Sequence, residues 1–498
     1  MDPQTAAKER STLLSRRTFL LEGATAGLTI LPRRVLGGPG HVAPSDRITL
    51  GCIGVGAQGT RVLMGFLKQP EVQVVAVCDV NKESADYSEW GAGEVRSKQR
   101  QLLGNNNWGS DWKGCVCGRE PARRLVEAYY ATQRSSGSYK GCASYNDFRE
   151  LLENEKGLDG VVVCTPDHWH ATISIFAMRK GKHVYCQKPM THSIDEARKM
   201  AEVARDSKVA TQVAIANEAS DATRILTEWI AAGVIGGVRE IHNWSSRPFW
   251  PQGIERPPQA DPVPDGFDWD LWLGPAPERP FNHAYLPFVW RGWFDFGTGA
   301  IGDMGCYSFD TLYRVLKLGA PESVEASSTQ GHPETYPLAS IIHYEFPARG
   351  GMPPLKLHWY DGGVRPPRPD ELEESREMRG EEGEGLILVG DGGKIYCGFE
   401  GQNPRLIPEP KMKAFQPPPD TLTKSVGHYL EWIAAIKGGE PARANFEFEA
   451  PITEAVLLGD VAVRIGKKLH WDSAKMRVTN DSAAYDLVSL PKRSAWKI

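Results

Sequence analysis

The sequence predicts an α/β protein with an N-terminal domain built on a parallel sheet and a C-terminal α+β domain with a largely antiparallel, open sheet. Its 498 residues exceed what one compact core holds, which favours two domains. From residue 48 to about residue 215, short apolar runs alternate with helical patterns, as in a parallel sheet. Beyond residue 217 the candidate strands follow one another with few helices between them, which is typical of antiparallel pairing.

These patterns also set the predicted domain boundaries. Residues 1–45 are a signal and linker, 46–216 the first domain, 217–476 the second domain and 477–498 a tail. The tail is polar, and we expect it to lie against a neighbouring subunit of a homo-oligomer. Residues 365–385 hold a Pro/Arg segment and an acidic run, which predict a solvated loop.

Composition narrows the classes of partner. The chain is 41% hydrophobic and 24% charged with a formal net charge of −4, which is typical of a water-soluble globular protein. It lacks a Lys/Arg-rich block, so we expect no nucleic-acid partner. No apolar run reaches the roughly 18 residues that cross a bilayer, so we expect no membrane span. The lone C-x-C of Cys115 and Cys117 suits a closed metal site poorly, and no metal is predicted.

The N-terminal segment matches an export signal. Ser15–Leu20 reads SRRTFL, the twin-arginine pattern, and a weakly apolar stretch follows as far as Leu31. The small residues Gly37 and Gly38 then offer a cleavage point. The twin-arginine route carries folded proteins, typically with a cofactor already bound, and we therefore expect a periplasmic protein. The alternative is a surface arm that happens to carry two arginines.

The first strand runs directly into a glycine-rich turn. An apolar run at 48–53 precedes the residues Gly54, Val55, Gly56, Ala57, Gln58 and Gly59, and a helical pattern follows from Thr60 to Lys68. This G-x-G-x-x-G, in the order strand, turn and helix, predicts a Rossmann dinucleotide-binding domain. Gly54, Gly56, Ala57, Gln58 and Gly59 would then contact the pyrophosphate, with the helix N-terminus facing the phosphates. The alternative is a loop whose glycines only make a turn.

An acidic residue follows the second strand at the distance that such a fold requires. Asp79 comes 20 positions after Gly59 and would accept hydrogen bonds from the adenosine ribose. Its carboxylate would repel a 2′-phosphate, so NAD is expected and NADP is less favoured, although Lys82 lies nearby. Residues 81–140 interrupt the strand–helix alternation and predict an insertion.

Two later strand ends carry polar residues. Because ligands of open parallel sheets bind at the carboxyl ends of the strands, we expect both turns to face the cofactor. The candidate cofactor contacts are Thr165, Pro166, Asp167, His170, Gln187 and Lys188. His168 and Trp169 are candidate substrate contacts.

A glycine-rich block at 297–310 leads into a helix that carries Asp303 and Tyr307. These residues are four apart and therefore share one helix face. Hydride removal from an alcohol needs a base, and a phenol with an ordinary pKa near 10 serves only when a cation favours the phenolate. Lys188 would supply that cation, which makes Tyr307 and Lys188 the predicted acid–base pair. The alternatives are a core tyrosine and a helix-capping aspartate.

The glycine fingerprint, T-P-x-x-x-H at 165–170, the Gln187-Lys188-Pro189 turn and the 297–310 block together resemble the Gfo/Idh/MocA oxidoreductases. The resemblance spans about residues 47–472 and implies a sugar- or polyol-oxidising enzyme whose second domain binds substrate on the sheet face. It also implies catalytic roles for Lys188, Asp303 and Tyr307. The sequence departs from the family twice, with Gln187 in place of Glu and Tyr307 in place of the common His. The branch that resembles glucose–fructose oxidoreductase also has Tyr at this position.

The second domain contains an aromatic-rich, loop-like stretch from Trp244 to Phe296. With Arg291 and His283 it predicts a carbohydrate site in which rings lie against the C–H faces of a sugar, with Trp290 and Arg291 as substrate contacts. The alternative is a loop pinned to the body by buried rings.

Three functions remain open from the sequence. The first is an NAD-dependent oxidoreductase that transfers hydride between nicotinamide and a sugar or sugar-like polyol. The second is a glycoside hydrolase in which transient oxidation at one carbon acidifies its neighbour and permits elimination. The third is a non-catalytic sugar-binding protein on the same fold.

Overall fold

A computed structural model describes residues 46–378 and 383–497. The twin-arginine pattern and its linker lie outside the described residues. From Ile48 onward the chain packs as one unit. Across the described residues, no helix combines the length and the apolar character needed to span a membrane.

The first sheet has six parallel strands in the order β3-β2-β1-β4-β5-β6. Their apolar, largely β-branched side chains are buried on both faces because helices cover the sheet on each side. The strands are β1 (Ile48–Ile53), β2 (Val72–Cys78), β3 (Ala143–Tyr145), β4 (Gly160–Val163), β5 (His183–Cys186) and β6 (Thr211–Val213). The helices are α1 (Ala57–Leu67), α2 (Glu94–Leu103), α3 (Arg119–Thr132), α4 (Phe148–Asn154), α5 (Asp167–Arg179) and α6 (Ile194–Ser207).

This strand order is that of a Rossmann fold, and it confirms the predicted class of the first domain. The stretch 81–140 differs from a plain insertion because it contains α2 and α3. The helix α3 is the crossover that connects β2 to β3. The added segment is therefore the part before it, in which residues 84 and 86 form bridges with Cys117 and Cys115.

The second sheet has nine strands in the order β13-β12-β11-β7-β10-β9-β8-β14-β15. All neighbours pair antiparallel except β7 and β10, which pair parallel. The prediction of a largely antiparallel sheet is therefore confirmed, although one parallel pair makes the sheet mixed. The strands are β7 (Val238–Trp244), β8 (Ser323–Ser328), β9 (Ser340–Phe346), β10 (Leu355–Tyr360), β11 (Gly385–Gly390), β12 (Gly393–Cys397), β13 (Arg405–Ile407), β14 (Leu469–Asp472) and β15 (Arg477–Val478). The helices are α7 (Asp221–Ala231), α8 (Trp269–Leu273), α9 (Cys306–Leu316), α10 (Glu409–Ala414), α11 (His428–Ile436), α12 (Phe446–Ile465) and α13 (Ser482–Asp486).

One face of this sheet forms the main core of the second half. Burial alternates along β9, where Ile342, Tyr344 and Phe346 point inward and His343 and Glu345 are half-exposed. The inward residues pack in one cluster with the helices α9 and α12. The sheet therefore holds α9, the helix that carries Tyr307, at a fixed position.

One segment of the second half differs from the sequence prediction. We predicted a solvated loop at 365–385, but part of this segment covers the second sheet, because Leu372 and Met378 are buried against it. Glu384 is also buried, and its Oε1 is paired with Arg247 Nη1 at 3.0 Å, which compensates for the buried charge.

The glycine turn after β1 depends on the absence of side chains. A Cβ at Gly59 would lie 1.9 Å from the carbonyl oxygen of Gly54, so α1 can pack this closely on the turn only with glycine. Gly54 itself has a φ of 80°, which other residues rarely adopt.

We expect Gly59→Ala to lower the melting temperature and to weaken nucleotide binding, since α1 must move away from the turn. The matched control is Gly331→Ala, where an added Cβ meets no atom within 4 Å. Differential scanning fluorimetry with and without NADH measures both effects. Equal stability and equal nucleotide response in the two variants would contradict this packing.

Candidate active site

One cleft runs from the glycine turn to the helix α9. Its volume is about 1140 Å³, and it is lined by the first sheet and its turns on one side and by loops and helix ends of the second half of the chain on the other. The sequence-predicted residues on its wall are Gly54, Gly56, Ala57, Gln58, Gly59, Asp79, Thr165, Pro166, Asp167, Trp169, Gln187, Lys188, Trp290, Arg291, Asp303 and Tyr307. The candidate cofactor and substrate residues therefore share a single cavity.

The glycine-turn end of the cleft fits a dinucleotide. The first N–H groups of α1 have no partner within the helix, and its first turn carries no acidic side chain. Thr165 lies on the same wall, and its buried hydroxyl has no hydrogen-bond partner within the described part of the chain. An unsatisfied buried hydroxyl at this point is suited to a polar ligand.

Asp79 braces the glycine turn. Its Oδ2 accepts a hydrogen bond from Val55 N at 2.7 Å, and its Oδ1 accepts one from Asn81 N at 2.9 Å. Burial raises the pKa of Asp79 to about 6, although these two hydrogen bonds act against the shift. The carboxyl group lies on the cleft, where each oxygen keeps a second lone pair for a ribose hydroxyl.

The segment before α3 supplies a wall that sequence reasoning did not identify. The Tyr87 ring lies against the glycine turn, so that a Cβ at Gly56 would be 2.7 Å from it. Trp90 packs edge-on against Phe288 of the aromatic-rich stretch, with ring centroids 6.0 Å apart. Both rings line the cleft, and the added segment thus reaches from the glycine turn to the second half of the chain.

At the other end of the cleft, Lys188 meets Asp303. Its Nζ donates to Asp303 Oδ1 at 2.8 Å and to the Asp303 carbonyl oxygen at 2.5 Å. The same Oδ1 accepts from Arg291 Nε at 3.2 Å. Lys188 Nζ also lies 4.8 Å from the centroid of the Tyr307 ring. The structure therefore brings the three predicted catalytic residues together.

The backbone before α9 explains how Asp303 reaches the lysine. Residues Ile301–Gly305 form a π-helical turn, which differs from the α-helical start expected from the sequence. Such turns are rare and occur frequently at functional sites. Here the turn presents both the carbonyl and the carboxylate of Asp303 to Lys188.

The protonation state of Tyr307 differs from the sequence prediction, whereas Lys188 is the cation that the sequence predicts. Burial raises the pKa of Tyr307 to about 12, even though Lys188 acts to lower it. Burial alone would lower the pKa of Lys188, but the Asp303 carboxylate raises it above its ordinary value. Burial alone would raise the pKa of Asp303, but Lys188 and Arg291 lower it. At neutral pH, Tyr307 is thus a proton donor rather than a phenolate base.

His168, the predicted substrate contact, does not line the cleft. Its Nε2 lies 3.0 Å from the Trp272 carbonyl oxygen and its Nδ1 lies 3.3 Å from that of Phe296. Burial lowers its pKa to about 3, so the ring is neutral. Trp169 is 5% exposed and donates through Nε1 to the same Trp272 carbonyl. Both side chains hold the aromatic-rich stretch in place.

His170, the predicted cofactor contact, is also internal. Its Nδ1 lies 2.7 Å from the Pro189 carbonyl oxygen and its Nε2 lies 2.9 Å from that of Thr165. It ties together the two turns that follow β4 and β5. The neighbouring Asp167 accepts from Thr298 Oγ1 at 2.8 Å, and burial raises its pKa to about 7.

The aromatic-rich stretch is divided between core and cleft. The rings of Tyr285, Trp293 and Phe296 form a buried cluster, as the alternative interpretation expected. Phe288 and Trp290 face the cleft, and both flank the Arg291 guanidinium at about 4.4 and 4.3 Å from their centroids.

Two family models match this chain. Residues 118–215 match the NAD-binding Rossmann domain of the Gfo/Idh/MocA oxidoreductases, and residues 232–350 and 377–498 match the C-terminal α/β domain of the same family. The chain belongs to the Gfo/Idh/MocA oxidoreductase family. The first match begins at the loop before α3, which leaves the glycine turn and the added segment outside it.

Curated relatives in this family match only parts of the chain. A 1,5-anhydro-D-fructose reductase of Ensifer adhaerens is 28% identical over 210 residues, 41% of this chain and 50% of that protein. A glycosyl hydrolase family 109 protein of Saccharopolyspora erythraea is 26% identical over 205 residues, 38% of this chain and 36% of that protein. The chain thus spans half or less of these relatives' length. The WlbA dehydrogenase of Bordetella pertussis, solved with NADH and UDP-GlcNAcA, has the same fold, with a TM-score of 0.54, 15% identity and coverage of 86% of this chain and 99% of that one.

We expect Tyr307→Phe to lower turnover by about tenfold to a hundredfold, since one donated hydrogen bond is lost. Because the phenol stays protonated below about pH 12, the pH dependence of the rate around neutral pH should not change. Initial rates across pH for both proteins measure this. A wild-type rate limb near neutral pH that disappears in Tyr307→Phe would show instead that the phenol is the titrating group.

Proposed function

We propose that this protein transfers hydride between a nicotinamide nucleotide, preferentially NAD, and a CH–OH carbon of a sugar or sugar-like polyol. The observation that carries the proposal is the single cleft that joins the glycine turn to the cluster of Lys188, Asp303 and Tyr307. A separate nucleotide site and polar cluster would not support redox chemistry, whereas one continuous cavity does.

The side chains of the cluster bind and orient the reacting oxygen. Lys188 remains an ammonium group because Asp303 is ionised beside it, so it donates a hydrogen bond to a hydroxyl or carbonyl oxygen of the substrate. The Tyr307 phenol donates a second one. Arg291 shares Oδ1 of Asp303 and keeps the carboxylate in place. The nicotinamide nucleotide, when bound, supplies the hydride acceptor or donor.

The wall around the cluster supports a carbohydrate as substrate. Phe288 and Trp290 line the cleft, each with one ring face against the Arg291 guanidinium, and Arg291 and Asp303 are the hydrogen-bonding groups beside them. Rings that alternate with hydrogen-bonding groups match the alternating C–H and O–H surface of a sugar. The reductase of Ensifer adhaerens acts on a sugar derivative, in agreement with this class.

Two further proposals concern the location of the protein and its assembly. The SRRTFL pattern at Ser15–Leu20 supports export through the twin-arginine route to the periplasm. The second sheet has a half-exposed outer face, and we propose that this face pairs with a second copy of the chain in a homo-oligomer.

A glycoside hydrolase is the second candidate, because family 109 glycosyl hydrolases occur among the relatives. The same cluster would serve this reaction, since transient oxidation and elimination also begin at a CH–OH carbon. Aryl glycosides distinguish the two functions. Their cleavage without net change in NADH absorbance favours hydrolysis, whereas net NADH formation with free sugars favours the oxidoreductase.

We expect Asp79→Asn to reduce the preference for NAD over NADP by about tenfold or more, because a charged hydrogen-bond acceptor for the ribose is lost. The amide retains one oxygen for the bracing contact with Val55 or Asn81. Fluorescence titration with NADH and NADPH measures both affinities. If the ratio of the two affinities is unchanged, the ribose does not bind at the end of β2.

We expect Lys188→Met to lower turnover by about 10²–10³-fold while the nucleotide stays bound, because a charged hydrogen-bond donor to the reacting oxygen is lost. Methionine has about the volume of the lysine side chain, but it cannot donate the two hydrogen bonds that Lys188 Nζ makes to Asp303. Native mass spectrometry measures the nucleotide, and NADH absorbance with a panel of aldoses and polyols measures turnover. Unchanged turnover, or a wild-type preparation that binds no pyridine nucleotide, would contradict the proposal.

A further inference from the structure

Glu400 lies on the wall of the same cleft as Lys188 and Tyr307, in a turn between β12 and β13. The sequence gives this residue no motif, because it follows a short strand in a glycine-containing segment. Neither Tyr307 nor Lys188 has a pKa that suits proton exchange at neutral pH, since both are shifted upward. The Glu400 carboxyl group shares their cleft and acts electrostatically on Tyr307, as Lys188 does on Glu400, and it is therefore of interest.

The turn holds the Glu400 carboxyl group in a fixed orientation. Gly398 N donates to the Gln402 carbonyl oxygen at 2.7 Å and closes the turn. The Gln402 side chain then contacts Glu400 twice, since its Oε1 accepts from Glu400 N at 2.9 Å and its Nε2 donates to Glu400 Oε2 at 2.9 Å. The Gln402 side chain engages Oε2 of the carboxyl group, so Oε1 is the oxygen that remains to exchange a proton with a ligand.

The same turn is attached to the helix that carries Tyr307. Thr311, one helical turn after Tyr307, donates through Oγ1 to the Glu400 carbonyl oxygen at 3.1 Å. Asn217 Nδ2 donates to the Tyr307 carbonyl oxygen at 2.7 Å and to Thr311 Oγ1 at 3.3 Å. Glu400 and Tyr307 therefore belong to one rigid frame, as a catalytic group requires.

The surroundings of Glu400 place its titration near neutral pH. Burial raises its pKa to about 7, and the carboxylates of Glu384 and Asp310 add to the shift. The Gln402 hydrogen bond and the Lys188 charge act in the opposite direction. A general acid–base is most effective when its pKa lies near the working pH.

We propose that Glu400 is the general acid–base of the reaction, a role that rests on the proposed function. In the oxidation of an alcohol, the Glu400 carboxylate takes the hydroxyl proton as the O–H bond breaks. The C–H bond breaks with it, the hydride passes to the oxidised nicotinamide nucleotide, and a carbonyl group forms. In the reverse direction the Glu400 carboxylic acid returns the proton to the oxygen. Lys188 and Tyr307 stay protonated and hold that oxygen throughout.

Glu400→Gln tests the proposal with little change in shape. We expect kcat to fall by about 10²–10⁴-fold with little change in KM, and the rate limb near pH 7 to disappear. Initial rates of NADH formation with a panel of aldoses and polyols, measured across pH, give both quantities. The matched control is Glu240→Gln on the outer face of the second sheet, half-exposed beside His242 and His358, which should leave kcat and the limb unchanged.

Gln402→Leu separates a catalytic role from a structural one. Loss of the amide hydrogen bond removes support for the charged carboxylate, so the pKa of Glu400 should rise. The limb of the rate profile should therefore move to higher pH while the protein remains active. A limb that stays in place in Gln402→Leu would overturn the proposal.

An infrared difference titration gives a readout that needs no substrate. Asp167 also has a pKa of about 7, so we expect the carboxyl absorbance that titrates near pH 7 to fall by one group in Glu400→Gln while the contribution of Asp167 remains. If no such absorbance is lost in the variant, or if Glu400→Gln raises KM alone with kcat and the pH limb unchanged, Glu400 is not the acid–base. A wild-type protein that binds no pyridine nucleotide in native mass spectrometry would instead contradict the proposed function, and the infrared titration would still decide the protonation of Glu400.

Discussion

A buried ion pair between Lys188 and Asp303 connects the two halves of the cleft. Lys188 follows the strand β5 of the parallel sheet, whereas Asp303 lies in the π-helical turn before α9, which packs on the second sheet. Each side chain is only 12% exposed, so loss of the Asp303 carboxylate would leave the Lys188 ammonium group buried without its partner, at a cost of about 3–5 kcal/mol. The pair thus fixes how the nucleotide-binding sheet and the substrate wall face each other.

This ion pair also determines the chemistry available to its neighbours. Because Asp303 holds Lys188 in its charged form, the lysine is a lasting hydrogen-bond donor rather than a base. The lysine faces the Tyr307 ring rather than approaching as a hydrogen-bond partner of a phenolate, and burial keeps the phenol protonated. Two fixed donors suit the binding of an oxygen that gains negative character, and the proton must then be exchanged with another group. The position of Glu400 in the same cleft answers that requirement.

The sequence predicted the parts of the site that local patterns encode. A glycine turn after β1, polar residues at the ends of β4 and β5, and the i, i+4 spacing of Asp303 and Tyr307 are all short-range features, and the structure brings them to one cleft. Such local patterns do not determine how α5 is rotated about its axis. In the structure this rotation places His168 and His170 in the interior and not on the cleft.

The remaining features depend on contacts between distant segments. Glu400 reaches the cleft only because β12 lies beside β11 in the second sheet and its turn bonds to α9. Tyr87 and Trp90 close the cleft through a segment whose loop-like composition gave no sign of its packing. The raised pKa of Tyr307 likewise follows from burial, and burial cannot be predicted from the spacing of residues along the chain.

The most direct test of the account is a crystal structure of the protein with bound NADH. We expect the pyrophosphate on the N–H groups of Ala57 and Gln58, the adenosine ribose at Asp79, and the nicotinamide ring next to Lys188 and Tyr307. A nucleotide bound elsewhere, or a nicotinamide ring directed away from the Lys188–Asp303 pair, would contradict the central claim.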